Sequence, residues 1–471
     1  MEDQPLVAIV IVNWNKKEYL SKLLGSLSDI EYRNHDIIVV DNASTDGSLE
    51  LLRSSFPGVH LIANESNIGG AGGFNTGMRY ALGKGVYKYV WLLDNDAEVT
   101  DATLIALVGV MEGDGGVGIA GSMIVNPDDR EHIVEVGINI DWNTGIVKPF
   151  MENYALDDVK EAVYEVDCVP ACSALVRSDA LRKTSLMDER YFIWWDDTDL
   201  SLSVGRAGYK IVGVTRSLVY HPTEKDWILV NYYNNRNSLL AFSKFADLKQ
   251  RTRIFHRIAS YSCKGILFHN LTGNKYLGGL LYHSLEDFFR GRWKKYAHDD
   301  SPPLENTAAG GGDALPDKKA RVIILPTGNL AAIKECVNTV RSAAGECSVT
   351  LLIQEYRKNL FEELPIDDFI TYDDKKGNIL LEHAGIFIRI LSANFDAAVM
   401  PSRNADSPFG YAAKKYYVYD EERGVIRYKG KRRDLWKVFF ASLAGELAAI
   451  PLTLLLLIKS SRYRDEQRES K

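Results

Sequence analysis

VAIVIVNWNKKEYLSKLLGSLSDIEYRNHDIIVVD, residues 7–41, decides the fold class. Two short β-branched runs, VAIVIV (7–12) and DIIVVD (36–41), flank YLSKLLGSL (19–27), where leucines recur at helical spacing. Apolar runs of this length read as buried strands, and a helix between two of them makes the crossover that lays the strands parallel. The alternation continues with SLELLRSSF (48–56) as helix, VHLIAN (59–64) as strand, a helix through FNTGMRYALGKG (74–85) and the apolar strand YVWLLDND (89–96). This order predicts an α/β domain with a doubly wound, mostly parallel sheet.

At 471 residues the chain exceeds one ordinary core. The Pro/Gly/Ala-rich stretch SPPLENTAAGGGDALPDK marks a linker over 301–318, beyond which RVIILP (321–326), VTLLIQ (349–354) and AAVMP (397–401) suggest a smaller second α/β unit. The expected division is a first domain over 1–230, a helical accessory region over 231–300, the linker, a second domain over 319–430, and a membrane-associating tail over 431–471. The accessory region is dense in aromatic and basic residues, as in NYYNNRNSLL and FFRGRWKKY. Such helices either pack on the core or rest on an anionic membrane surface. In the tail, Trp436 to Ile458 is apolar except for Lys437 and Glu446, between KGKRRD and KSSRYR. Its charge-free part, Leu447–Ile458, is shorter than the ~20 residues a spanning helix needs, so an in-plane or embedded helix is favoured over a spanning one, with a buried soluble helix as the alternative.

Net charge is −7 and no long basic block occurs, which excludes a phosphate-neutralising nucleic-acid face and favours a small-molecule or glycan partner. The five cysteines are odd in number and scattered, which fits a reducing compartment. Cys168 and Cys172 in CVPAC lack a second Cys/His pair and read as core residues. The N-terminus has acidic residues where an export signal needs basic ones, and it reads as the approach to the first strand.

Polar residues gather where strands end. Asn13 and Asn15 follow the first strand, Asp41 and Asn42 the second, Asn64 and Asn67 the third, and all lie at the carboxyl edge where ligands bind α/β sheets. The glycine-rich NIGGAGGFNTGM (67–78), with Gly69 and Gly70, precedes a helix and lets backbone approach a ligand or offer N–H groups to an anion. In LLDNDAEV (92–99), Asp94 and Asp96 stand two apart after a buried strand and can supply hard oxygens to Mg²⁺ or Mn²⁺. In RYFIWWDDTDLSLSVGRAGYKI (190–211), carboxylates beside tryptophans suit a proton acceptor near neutral pH. The plainer reading makes Asp196 or Asp197 a helix cap and has Asp199 favour the helix dipole. His221 in VYHP, taken alone, is more often structural than a ligand.

In order and spacing these blocks resemble the family-2 inverting glycosyltransferases of the GT-A fold, over about residues 6–240. The glycine-rich block and the Trp-Asp-Asp followed by histidine are most similar to galactofuranosyltransferases, with bacterial rhamnosyltransferases a near second. The resemblance implies that Asp197 is the catalytic base, that Trp195 and Asp196 meet the acceptor, and that Asp96 and His221, 24 residues beyond Asp197, hold a divalent metal with Asp94 as a further candidate ligand. It implies nucleotide-sugar contacts at Asn13, Asn15, Asp41, Asn67, Gly69, Gly70, Asp94 and Asn95. The metal motif departs from the family by reading Asp-Asn-Asp, which puts the role of Asn95 in question. The implied function is transfer of a sugar, from UDP-galactofuranose or else dTDP-rhamnose, to a glycan or lipid-linked acceptor at the cytoplasmic face of the cell membrane. A non-catalytic sugar-binding scaffold is the rival of another class.

Overall fold

The computed structural model describes residues 4–222, 227–293, 295–297, 319–325, 330–344, 346–354, 358, 361–372, 388–401, 413–420, 425–431 and 435–469. The linker expected over 301–318 lies outside them. In the first domain β1 (Val7–Asn13), α1 (Lys17–Asp29), β2 (His35–Asp41), α2 (Ser48–Ser55), β3 (His60–Ala63), α3 (Gly69–Lys84) and β4 (Tyr89–Asp94) alternate as the sequence predicts. Then come β5 (Glu98–Val99), α4 (Thr103–Gly113), β6 (Val117–Asn126), β7 (Asp129–Glu135), the hairpin of β8 (Ile138–Asp141) and β9 (Ile146–Pro149), and β10 (Val163–Glu165). They are followed by β11 (Ser173–Arg177), α5 (Ser178–Arg182), α6 (Asp196–Arg206) and β12 (Lys210–Tyr220).

The main sheet runs β3-β2-β1-β4-β11-β6-β12-β10. The first four strands are parallel, β11 opposes both its neighbours, and β12 returns parallel to β6. The fold is therefore an α/β, mostly parallel, doubly wound sheet. Its strands read as continuous apolar runs because both faces are covered. Val7, Ile9 and Ile11 face α1 and α4, whose Leu20, Leu23, Leu24, Leu27, Leu104 and Leu107 close one core. Ala8 and Val10 face α3 on the other side, against Ala71, Phe74 and Met78. Each fully buried leucine contributes about 1.5–3 kcal/mol.

The third helix starts at Gly69, five residues before the start expected from FNTGMRYALGKG, so the glycine run is helical and not a loop. Packing overrides propensity here. A Cβ at Gly73 would lie 2.6 Å from Val12 Cγ1, and one at Gly77 2.2 Å from Val10 Cγ1, so only glycines let this helix lie so close to β1.

Beyond β12, α7 (Trp227–Phe245), α8 (Leu248–Leu271) and α9 (Lys275–Arg290) form a bundle, with α8 opened by a reciprocal Asp247/Gln250 capping box. This bundle is no appendage. Leu239, Leu240, Phe242, Ile254 and Phe255 share one core with Tyr191 and Trp195 of the first domain and with Ala449, Leu456 and Tyr463 of the C-terminal helix, Leu435–Glu469.

A second sheet is built from β13 (Arg321–Ile324), β14 (Ser348–Gln354), β15 (Asp368–Tyr372), β16 (Ala397–Met400), β17 (Lys415–Asp420) and β18 (Val425–Lys431), with α10 (Leu330–Ala344) after its first strand. Its order is β15-β14-β13-β16-β17-β18, parallel except at the last pair. Phe268 of α8 enters the core of this unit. All five cysteines are free.

Candidate functional site

The strand order reverses between β2-β1 and β1-β4, and in such sheets the crevice at the carboxyl ends of the reversing strands takes the ligand. Asn13 ends β1 opposite Asp41 of β2, and Asp94 ends β4 opposite Val12. Asn13 and Asp41 are fully enclosed, which changes the part expected of them. Asn13 Nδ2 donates to Asp41 Oδ2 (3.0 Å) and to Ser44 Oγ (3.2 Å), while Asp41 Oδ1 accepts from the Ser44 amide (2.8 Å). Both therefore hold the edge from beneath. Asn95 Nδ2 donates to Asn13 Oδ1 (2.7 Å) and so ties the β4 turn to β1. A second chain of amides runs from Asn64 to Asn42 (2.8 Å) and from Asn42 to the Gly69 carbonyl (2.9 Å), and the Gly69 amide donates to Asn67 Oδ1 (2.9 Å). Asn15, in the left-handed region (φ 51), accepts from the Thr45 amide at the rim.

The carboxylates after β4 meet a residue from the far side of the sheet. Short β5 pairs with the end of β12, and this pairing carries His221 alongside Asp94 and Asp96. His221 Nε2 lies 3.1 Å from Asp96 Oδ1 and 3.5 Å from Asp94 Oδ2, and Lys16 Nζ lies 3.3 Å from Asp96 Oδ2. Burial pushes the His221 pKa down, but its hydrogen bonds and charge pairing with Asp94 and Asp96 outweigh burial and raise it to about 10. Burial likewise raises Asp96, and His221 and Lys16 more than reverse this. One potential ligand atom from each of Asp94, Asp96 and His221 lies within 4.8 Å of the others. Two carboxylates and one imidazole, the latter coordinating only once it has lost its proton, form a donor set that fits a divalent ion such as Mn²⁺ or Mg²⁺.

On the neighbouring rim α6 begins with Asp196 and Asp197 as its first two residues. The cap position belongs to Trp195, in the left-handed region (φ 70) and without a side-chain capping bond, so neither aspartate caps this helix. Asp197 accepts from the Thr198 amide (2.6 Å) and the Ala171 amide (3.3 Å). Burial raises its pKa against those two bonds, and the charge of Asp94 adds to the rise. Asp196 is held well above the usual carboxylate range by burial and then by the charge of Asp197. A carboxylate shifted towards neutrality suits a general base. Asp199 belongs to another network, accepting from the Tyr191 hydroxyl (2.8 Å) and paired with Lys244.

Two expected ligand contacts are met by the chain itself. A Cβ at Gly69 (φ +81) would lie 2.1 Å from the Phe192 carbonyl oxygen, and one at Gly70 3.3 Å from Asp196 Oδ2, so these glycines bring α3 against the loop that precedes α6. The Trp195 ring is turned into the helical bundle, edge-on to Phe242 at 5.3 Å, with its N–H donating to Asn234 Oδ1 (2.8 Å). It is 7% exposed and offers an acceptor little surface. Residues the motif reading did not single out are Lys16 beside Asp96, and Asn234, Arg236 and Asn237 of α7. The signal for the α7 residues lay in NYYNNRN, where buried polar side chains such as Arg236 and Asn237 demand hydrogen-bond partners.

Residues 8–183 match the family model described as "Glycosyl transferase family 2". The chain is 24% identical over 231 residues to galactofuranosyltransferase GlfT1 of Mycolicibacterium smegmatis, covering 48% of this chain and 74% of that one. It is also 24% identical over 238 residues to N-acetylglucosaminyl-diphospho-decaprenol L-rhamnosyltransferase of Mycobacterium tuberculosis, covering 46% and 76%. Among solved structures, the crystal structure of GalNAc-T7 with UDP, GalNAc and Mn²⁺ aligns over 55% of this chain at 16% identity with a TM-score of 0.45, and this chain spans about half (51%) of that one. Over residues 8–183 the N-terminal domain of this chain is thus similar to glycosyl transferase family 2.

Proposed function

We propose that this protein transfers a sugar from a nucleotide-sugar donor to a hydroxyl of a glycan or lipid-linked acceptor, with inversion, in the assembly of a surface polysaccharide. The convergence of Asp94, Asp96 and His221 beside the Asp196–Asp197 pair carries the reading, because it sets a site for diphosphate charge next to a proton acceptor. Asp96, His221 and Asp94 would hold a divalent ion, which when bound would supply charge stabilisation for a leaving diphosphate. Asp197 removes the acceptor hydroxyl proton as that oxygen bonds to the anomeric carbon, and the electron pair of the broken C–O bond leaves with the diphosphate. Asp196 orients the acceptor. Asn15, Asn67 and Asn95 line the donor side, and Asn13 and Asp41 support them.

UDP-galactofuranose is the favoured donor, from the similarity to a galactofuranosyltransferase, and dTDP-rhamnose is the second reading, from equal identity to a rhamnosyltransferase. The test is turnover of both donors by wild type, Asp197→Asn and chelated enzyme, with donor binding followed by calorimetry. Wild type is expected to turn over one donor, Asp197→Asn to bind it without transfer, and chelation to abolish transfer. Transfer by Asp197→Asn overturns the base assignment, and a chelator-resistant enzyme removes Asp96 and His221 from metal binding.

The reading places the protein on the cytoplasmic face of a membrane. The stretch Phe440–Ser461, 22 residues with a mean hydropathy of 2.0, is long and apolar enough to cross one. Its outer face carries Phe440, Leu443, Leu447, Ile450, Leu454 and Ile458 at three- and four-residue steps, each 52–69% exposed. The opposite face is fastened to α8: Glu446 pairs with Lys264 and meets His256 (3.1 Å) and Ser260 (2.7 Å), and Arg251 donates to Ser460 (3.1 Å). Spanning would carry α8, with Arg251, Arg253 and His256, into hydrocarbon at high cost. An in-plane helix keeps these pairs and seats the stripe among acyl chains.

A further inference from the structure

We infer that Asn237, Arg236 and Asn234 of α7 are positioning residues that fix the catalytic base by locking the backbone of residues 191–195. The inference rests on Asp197 being that base. Phe192, Trp194 and Trp195 all lie in the left-handed region, with φ of 66, 65 and 70, in the four positions directly before Asp196. Bulky residues rarely adopt this conformation, and such a run persists only where its surroundings over-determine it.

Here the surroundings are side chains from one helical turn. The two N–H groups on Asn237 Nδ2 are shared among the carbonyls of Tyr191 (3.1 Å), Ile193 (2.9 Å) and Trp194 (2.9 Å). Arg236 Nη2 adds a bond to the Tyr191 carbonyl (3.1 Å), and its Nε donates to Asn237 Oδ1 (3.0 Å), which fixes which end of the amide faces the loop. Asn234 Oδ1 accepts from the Trp195 indole. The carbonyl of Phe192 points the other way, accepting from the Ala71 amide of α3 (3.4 Å). The loop is thus gripped from two sides, and the reversal of carbonyl direction is what the left-handed residues provide. The grip is rigid because Asn235 Nδ2 bonds Ser262 (3.0 Å) and Ser284 (2.7 Å), tying α7 to α8 and α9. Asn237 and Arg236 are fully buried and act on the reaction through the start of α6.

The test compares Asn237→Ala and Asn234→Ala with wild type and Asp197→Asn, measuring kcat, acceptor KM, donor affinity by calorimetry and the thermal midpoint. Asn237→Ala is expected to lower kcat by about 10²-fold with donor affinity unchanged, the signature of a displaced catalytic group. Unchanged kcat in a folded Asn237→Ala protein, or loss of kcat and donor affinity in step, overturns the inference. If Asn237→Ala does not fold, Asn234→Ala decides, since Asn234 is exposed and its loss removes only the bond to the Trp195 indole. That variant is expected to lose about tenfold in kcat at constant donor affinity, and wild-type kcat overturns the inference. Failure of the base assignment shows separately, as transfer by Asp197→Asn whatever the asparagine variants do.

Discussion

Between Asp94 and Asp96, Asn95 commits its amide to Asn13 Oδ1, so the three residues do not act as one acidic patch: the outer two face His221 while the middle one braces the turn. This accounts for a neutral residue between the two acids. Asn95→Asp would set a carboxylate against the Asn13 carbonyl, whose own amide is held by Asp41 and Ser44. The expected loss is about 1–3 kcal/mol, the cost of a buried acceptor left unpaired, read from the urea midpoint; unchanged stability would remove the bracing role. The strand-end positions were readable from sequence because strand polarity alone puts such residues at one edge, whereas Asp197 and His221 were linked only by the spacing that the family resemblance implies. Which way Asn95 and Trp195 turn was not readable, because each direction is set by a partner distant in sequence, Asn13 and Asn234.

At the scale of elements, α6 is fastened to the bundle through a buried charge cluster. Lys244 of α7 is 3% exposed and reaches both Asp188 (3.0 Å) and Asp199. The two carboxylates respond oppositely to this shared cation. Burial pushes both up, but Arg190 and Lys244 outweigh it at Asp188 and hold that group well below the usual carboxylate range, whereas at Asp199, without an arginine, burial wins. Lys244→Met should leave the buried Asp199 without its cation, while Asp188 keeps Arg190, and cost about 3–5 kcal/mol in denaturant unfolding. A loss under 1 kcal/mol would show the pair to be reorganised without it. Sequence patterning found the strands and most helices because their apolar periodicity is local. It missed the start of α3, where glycines that normally end helices are selected by the closeness of Val10 and Val12, and it read α7 as part of a helical region without finding what its amide-rich motif holds, the strained loop.

Across the whole molecule, the exposed stripe on the C-terminal helix sets an orientation test. Full-length protein should sediment with anionic phospholipid vesicles more than with neutral ones, and Leu447→Glu with Leu454→Glu should reduce this sharply without altering the thermal midpoint, because both side chains are exposed. Binding that survives the double substitution would place the contact elsewhere. The core beneath the helix has a different consequence. Trp195 sits in a cluster completed by Ala449, Leu456 and Tyr463, whose hydroxyl donates to the Phe288 carbonyl (3.0 Å). During synthesis at about 5–20 residues per second, the sheet and the Asp94, Asp96 and His221 group emerge long before the segment that closes this cluster. A nascent chain can therefore assemble the carboxyl edge of the sheet early, while the loop before Asp196 waits for residues translated well after it, so the two halves of the site become ordered at different times.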